Sequence, residues 1–158
     1  MTGVQTCALP IFIERLRPFL AARNISSPDE FLSRVFLVER ERIKTLSDFT
    51  EVAGFFFSLP DYPANLLLWE GDTAEGAKRV LEKVLEALKK IPAENFTAET
   101  ILFALSLLID EQGRGTVLWP FRVALSGQAA SPDPIEIAEI LGRDETVERI
   151  GLAVKKLR

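Results

Sequence analysis

The chain contains no histidine, and only one cysteine, one methionine and one tyrosine, in 158 residues. Without histidine, a His-based nucleophilic triad and a histidine metal site are both excluded. The lone cysteine, Cys7, leaves no Cys/His metal spacing and no basis for redox chemistry. Positive charge is also short. Nineteen Lys and Arg against 23 Asp and Glu leave a net charge of −4. A uniformly basic coat for nucleic acid is therefore ruled out, and any RNA contact must come from local clusters of Arg and Lys. There is no P-loop and no dinucleotide glycine fingerprint. No apolar run is long enough to span a bilayer, so no membrane partner is expected. Carboxylates are plentiful but fall on solvent faces of helices with no partner motif, so no catalytic residue and no metal ligand is assigned.

What is present is a globular composition, 47% hydrophobic and 27% charged, too apolar for disorder and long enough for one domain or two small ones. The first eleven residues, MTGVQTCALPI, stand apart. They carry no charge, fit no helix or strand period well, and look like the in-frame translation of a sequencing-adapter primer. They are set aside as an artefactual peptide, and the gene is expected to be cut at its 5′ end.

From Phe12 onward the apolar residues recur at helical spacing and no strand-type alternation is sustained, so the fold is expected to be all-α. Phe12, Leu16, Phe19 and Leu20 mark a first helix that Pro18 should start or kink. Ser27-Pro28-Asp29-Glu30 reads as a capping-box start, with Phe31, Leu32, Val35, Phe36 and Val38 following. That helix ends in a charge run where Arg34, Arg40, Arg42 and Lys44 face two nearby acids, either a solvated face or a cation cluster. Thr45 with Asp48 opens the next helix, and Phe55–Phe57 are expected in the core rather than as a base-stacking platform. Leu59–Pro63 breaks the chain between two small helical bundles, 12–60 and 61–158. Residues 64–70 are ambiguous between an extended piece and a short helix. Asp72 with Glu75 predicts a capping box, and the pattern from Ala77 to Ile91 is the most regular helix of the chain. The segment capped by Thr97 is apolar on nearly all sides and is expected in the middle of a bundle. A last helix spans about 144–157.

The chain is organised around Gly113–Gly142, GRGTVLWPFRVALSGQAASPDPIEIAEILG. It predicts a helix carrying Arg122 one residue past a proline-interrupted start, a small-residue turn, and a helix opening at Ser131-Pro132-Asp133-Pro134 with Ser131 as N-cap. An arginine so held can stack its plane on a base or fork onto a phosphate, and the Ser131 hydroxyl with the Asp133 and Ile135 amides can read the edge of an unstacked base. The plainer alternative is an ordinary helix cap and a structural ion pair.

The segment WPFRVALSGQAASPDPIEIAEILGRDETVERI, Trp119 to Ile150, resembles the C-terminal anticodon-binding region of bacterial glutamyl-tRNA synthetases, whose pattern is P-L-R-x-A-L-T/S-G, a loop, S/T-P, a helix, L-G and R-I. RERIKTLSDFTEVAGFFF, Arg40 to Phe57, and the DYPANLLLWE piece are similar to that family as well, and together the likeness covers nearly all of 12–158. The resemblance implies a class I aminoacyl-tRNA synthetase whose catalytic domain, with its ATP and Mg sites, is absent here, so that the fragment itself holds no cofactor. It implies that Arg42 discriminates the last anticodon base, that Arg122 contacts the first ones, and that Ser131, Pro132 and Pro134 touch the first two. Pro134 departs from the larger apolar residue often found in the family. Arg34, Arg40, Lys44 and Arg114 are candidate phosphate contacts. The implied partner is the anticodon loop of tRNA(Glu), with no DNA, for a cytoplasmic monomer. A class I lysyl-tRNA synthetase domain and a helical protein–protein interaction module are the competing readings. Anticodon reading expects Arg42 and Arg122 to flank one groove where the two bundles meet.

Overall fold

The computed structural model describes the backbone of residues 2–158 and the side chains from residue 9 onward; Met1 and the Cys7 side chain lie outside the described residues. The described residues form eight α-helices joined by short 3₁₀ turns, with no strand among them. They divide into two compact units, Met1–Ser58 and Leu59–Arg158.

The first unit holds α1 (Thr2–Ala21), α2 (Asp29–Glu39), α3 (Leu46–Val52) and a 3₁₀ turn at Gly54–Phe56. The backbone of α1 runs through residues 2–11 and through Pro10 and Pro18, although the spacing of residues 1–11 fits no helix and Pro18 is expected to start or kink one. Proline removes one ladder hydrogen bond without forbidding the helix when neighbouring turns are in place. The turn that follows the helix closes at Asn24, which adopts φ 58, a conformation asparagine tolerates better than most residues. Helix α1 packs on α2 and α3, and Ile13, Leu16 and Leu20 of α1, Leu32 and Val35 of α2 and Phe49 of α3 are all buried. Aromatic rings knit the unit: Phe12 to Phe36 at 4.1 Å, Phe31 to Phe57 at 5.7 Å and Phe49 to Phe57 at 6.2 Å between centroids. Phe55 and Phe56 are buried, as a core role requires.

Helix starts differ from the sequence expectation by one or two residues. At α2 the cap position is Pro28, not Ser27, and no side chain caps it. Arg17 instead ties the entry down, donating to the Ser27 carbonyl at 3.0 Å and pairing with Asp29. At α3 the expected capping box is present. Asp48 accepts from the backbone of Thr45 at 2.8 Å and Lys44 at 3.0 Å, which holds its carboxyl below the usual range.

The second unit opens with a 3₁₀ turn at Ala64–Leu67 and continues through α4 (Ala74–Lys89), a 3₁₀ turn at Ala93–Asn95, α5 (Ala98–Gln112), α6 (Arg114–Ser126), α7 (Pro134–Leu141) and α8 (Arg143–Lys156). Thr73, not Asp72, caps α4, accepting from Gly76 N at 3.0 Å, while Glu75 pairs with Arg79. Thr97 caps α5 as expected, and the Ala98 amide donates to Glu139 Oε2 of α7 at 2.7 Å.

The centre of this bundle is α6, packed against α4, α5, α7 and α8, with Val117, Leu118, Phe121, Val123, Ala124 and Leu125 buried. Helix α5 was expected there and is not. Only its Ile101, Leu105 and Leu108 stripe is buried, whereas Leu102, Phe103 and Leu107 are 45%, 83% and 68% exposed. The partners of α5, namely α4, α6 and α7, meet one stripe, so a helix apolar all round still buries one side.

Two buried ionisable groups bear on stability. Arg149 of α8 is 2% exposed; its Nη1 donates to the Leu125 carbonyl at the end of α6 at 2.6 Å, and its Nε pairs with Glu145 at 2.8 Å. In the first unit, Glu39 is fully buried beside Arg42 at 3.2 Å. Burial pushes the Glu39 carboxyl up from 4.5 to about 7, against the opposing pull of Arg42.

Two outcomes follow from these groups. Arg149→Met, which strands the Leu125 carbonyl, is expected to cost about 2–4 kcal/mol of stability in urea unfolding followed by circular dichroism. Because the folded chain holds the Glu39 proton to a higher pH than the unfolded chain does, its contribution to stability is complete below pH 4.5 and is lost as pH rises to about 7. The stability of Glu39→Gln relative to the parent should therefore climb across that window by up to about 3 kcal/mol, then level off, in urea titrations at stepped pH.

Candidate nucleic-acid interface

Helix α6 places its functional side chains through two irregularities. Gly113, at φ 94, ends α5 and lets α6 begin at the next residue. Pro120 sits inside α6, so Arg122 lies past a mid-helix proline rather than past a helix start, because α6 begins six residues before Pro120. At the far end Gly127 adopts φ 68, and the Ser126 hydroxyl donates to the Arg122 carbonyl at 2.8 Å and accepts from Gln128 N at 3.1 Å. A Cβ on Gly127 would come 2.8 Å from Pro60 Cγ, so the turn needs glycine for both its angle and its space.

Arg122 spans from α6 to the loop before α7. All of its hydrogen bonds run through Nη1, to the Ser131 carbonyl at 2.5 Å, the Ser131 hydroxyl at 3.1 Å and the Pro132 carbonyl at 3.1 Å. The side chain therefore closes the loop through backbone and hydroxyl oxygens, and no acidic partner pairs with it among the described residues. The cap of α7 is Asp133, not Ser131: Asp133 Oδ1 accepts from Ile135 N at 2.8 Å and Pro134 takes the first helical position. The Ser131 hydroxyl donates to the Pro132 carbonyl at 3.0 Å. The Ser131 hydroxyl and the Ile135 amide thus both have partners inside the loop. Aspartate displaces serine as cap because the two prolines hold the backbone extended up to 133, so the first free amide to be capped is that of Ile135.

A shallow groove of about 280 Å³ opens along α6. The helix contributes Arg114, Gly115, Leu118, Trp119 and Arg122; Trp69 comes from the segment after the 3₁₀ turn, and Asp133 and Pro134 from the start of α7. The structure thus brings Arg114, Arg122 and Pro134 together. Ser131 and Pro132 lie behind, as acceptors for Arg122. Trp69 and Trp119 stand 5.3 Å apart between ring centroids, and Trp119 Nε1 donates to the Leu66 carbonyl at 2.9 Å. Neither tryptophan was singled out by sequence; Trp69 belongs to the 64–70 piece whose conformation the spacing left open.

The other candidates lie in the first unit. Arg40 and Lys44 line a groove of about 380 Å³ with Arg15, Phe12 and Phe36. Arg42 does not line it; it pairs with Glu39 and keeps its side chain 35% exposed, so the ion pair does not bury it. Arg34 is exposed on α2. Among the described residues no group of His, Cys, Asp or Glu could hold a metal ion, and no helix is long and apolar enough to cross a membrane.

A family model described as an anticodon binding domain matches residues 11–154. The glutamate–tRNA ligase of Clostridium botulinum is 35% identical over 156 residues, 96% of this chain and 30% of that protein. The glutamate–tRNA ligase of Clostridium tetani is 34% identical over 141 residues, 86% of this chain and 28% of that protein. Among solved structures, a glutamate tRNA ligase from Elizabethkingia meningosepticum in complex with its amino acid shares the fold at a TM-score of 0.83 and 24% identity, over 99% of this chain and 31% of that one. A glutamate-tRNA synthetase from Elizabethkingia anophelis does so at 0.75 and 23%, over 98% and 30%. The chain spans less than a third of the length of these relatives. With Arg122 clamped across the turn between α6 and α7, and a family match over 11–154, the chain belongs to the anticodon-binding domain family.

Proposed function

We propose that this chain is the tRNA-reading portion of a glutamate–tRNA ligase and binds the anticodon loop of tRNA(Glu). The observation that carries the reading is the Arg122 side chain, fixed by three oxygens through Nη1 at the edge of an aromatic, partly cationic groove. An unstacked base is recognised by flat stacking and by hydrogen bonds to its edge, and an immobilised guanidinium offers both at low entropic cost. The two curated relatives named above are glutamate–tRNA ligases, which favours this reading over a lysyl-tRNA synthetase domain or a protein-interaction module.

In this proposal Arg122 contacts the first anticodon bases, Arg42 discriminates the last one, and Pro134 packs beside the bound loop. Ser131 and Pro132 act by positioning Arg122 as well as by touching RNA. Arg34, Arg40, Lys44 and Arg114 neutralise phosphates, so affinity falls as salt rises. The amino acid, ATP and Mg belong to the catalytic part of the enzyme, and the chain by itself is inactive in charging tRNA. It acts in the cytoplasm as a monomer and takes neither DNA nor membrane as a partner.

Arg122→Ala should weaken binding of a glutamate-tRNA anticodon stem-loop by about 1–3 kcal/mol in a fluorescence polarisation titration at low salt. An unchanged affinity there would remove the basis of the reading. Arg42→Gln should narrow the difference in affinity between stem-loops that differ only at the third anticodon base, with little change for the loop bound best.

A further inference from the structure

We propose that Trp69 and Trp119 form a stacking wall for one unpaired RNA base, seated by Gly115 and closed by the unbonded side of Arg122; this rests on the anticodon-reading proposal above. Three features of the second unit support it. The first is the seat. Gly115 lies in the first turn of α6 without a positive φ, so the backbone does not call for glycine. A Cβ at this position would lie 2.5 Å from Nε1 and 2.6 Å from Cε2 of Trp69, so the missing side chain is the space the indole occupies. The second is rigidity. Trp119 is held by its hydrogen bond to the Leu66 carbonyl, and the two rings, tilted by 46°, brace each other at 5.3 Å. Both nevertheless stay partly exposed and line an open groove instead of entering the core. A fixed aromatic face in solvent offers a base its stacking surface with little left to order on binding.

The third feature is the charge pattern, which selects a base over a phosphate. Asp133 lines the same groove, and its carboxylate spends one oxygen on the Ile135 amide. A carboxylate repels a phosphate but accepts from an exocyclic amino group, while the arginine beside it donates to base acceptors. Arg114, at the start of α6 and exposed, is placed to take the phosphate that follows such a base. The groove, at about 280 Å³, falls just under the ~300 Å³ lower end of ligand pockets, a size for one planar group and not for a buried nucleotide.

The chain has two tryptophans in all, so its indole emission reports on this groove alone. The test is a titration of the unmodified chain with a glutamate-tRNA anticodon stem-loop, following tryptophan emission and the polarisation of a label on the RNA together. Emission is expected to be quenched in step with binding, whereas a fully paired duplex of equal phosphate count should bind without quenching. Trp69→Ala should lower stem-loop affinity about 5- to 150-fold, the range of one stacked base, and Trp69→Phe, which keeps an aromatic face, should recover most of it. Gly115→Ala, which displaces Trp69, should reproduce the Trp69→Ala loss with helicity unchanged by circular dichroism. Stem-loop binding with unmoved emission overturns the wall; if Arg122→Ala still weakens that binding, anticodon reading survives. Absence of stem-loop binding by the unmodified chain at low salt overturns both.

Discussion

Much of the second unit depends on how one arginine is shared between two helices. Arg122 leaves a central, proline-containing helix and spends one nitrogen on three oxygens of the loop that starts the next helix. Those oxygens include the Ser131 and Pro132 backbone carbonyls, in a loop where Pro132 and Pro134 supply no N–H groups. The contact therefore satisfies the loop, fixes its path and orients the guanidinium at once. Arg149 performs a related service one turn away, capping the Leu125 carbonyl from α8. Two buried or partly buried cations thus brace the turn between α6 and α7, Arg122 through the oxygens of the loop and Arg149 through the Leu125 carbonyl and Glu145.

This economy of charge matters in a chain with a net charge of −4. Its acids are used where they hold helix entries, as Asp48 and Asp133 do, or pair along exposed helix faces, as Glu75 does with Arg79. At the end of α2 and beyond it, Arg40 and Lys44 line one groove with Arg15, and Glu39 pairs with Arg42. Glu39 has an elevated carboxyl because burial outweighs its cationic neighbour. Local arrangement of charge, and not its total, decides where an anion can approach.

Helix positions were largely legible because their evidence is short-range. The amphipathic run from Ala77 to Ile91, the Thr45–Asp48 box and the glycines at 113 and 142 each work within a turn or two. The errors at caps have one physical origin. Ser27, Asp72 and Ser131 are all good capping residues, but Pro28, Thr73 and Asp133 hold the cap positions, since the cap goes to whichever residue leaves the extended conformation last. The misplacement of α5 is of another kind. Its leucines and phenylalanine say that burial is favourable and cannot say which neighbours exist to provide it.

For the candidate site, Arg122 and its loop were visible because the residue types and spacing repeat a known family pattern. Trp69 and Gly115 were not, since they meet across 46 positions of chain and the segment holding Trp69 has no regular period. By itself, then, the amino-acid sequence determined an all-helical chain, the absence of histidine-dependent chemistry, and the arginines and prolines from which a binding loop is made; these follow from composition and from interactions within a turn. Tertiary structure alone decided which helix became the core and that an indole lies against a glycine beside Arg122. Those outcomes depend on which surfaces meet once the helices pack, and side chains far apart in sequence acquire a shared environment only then.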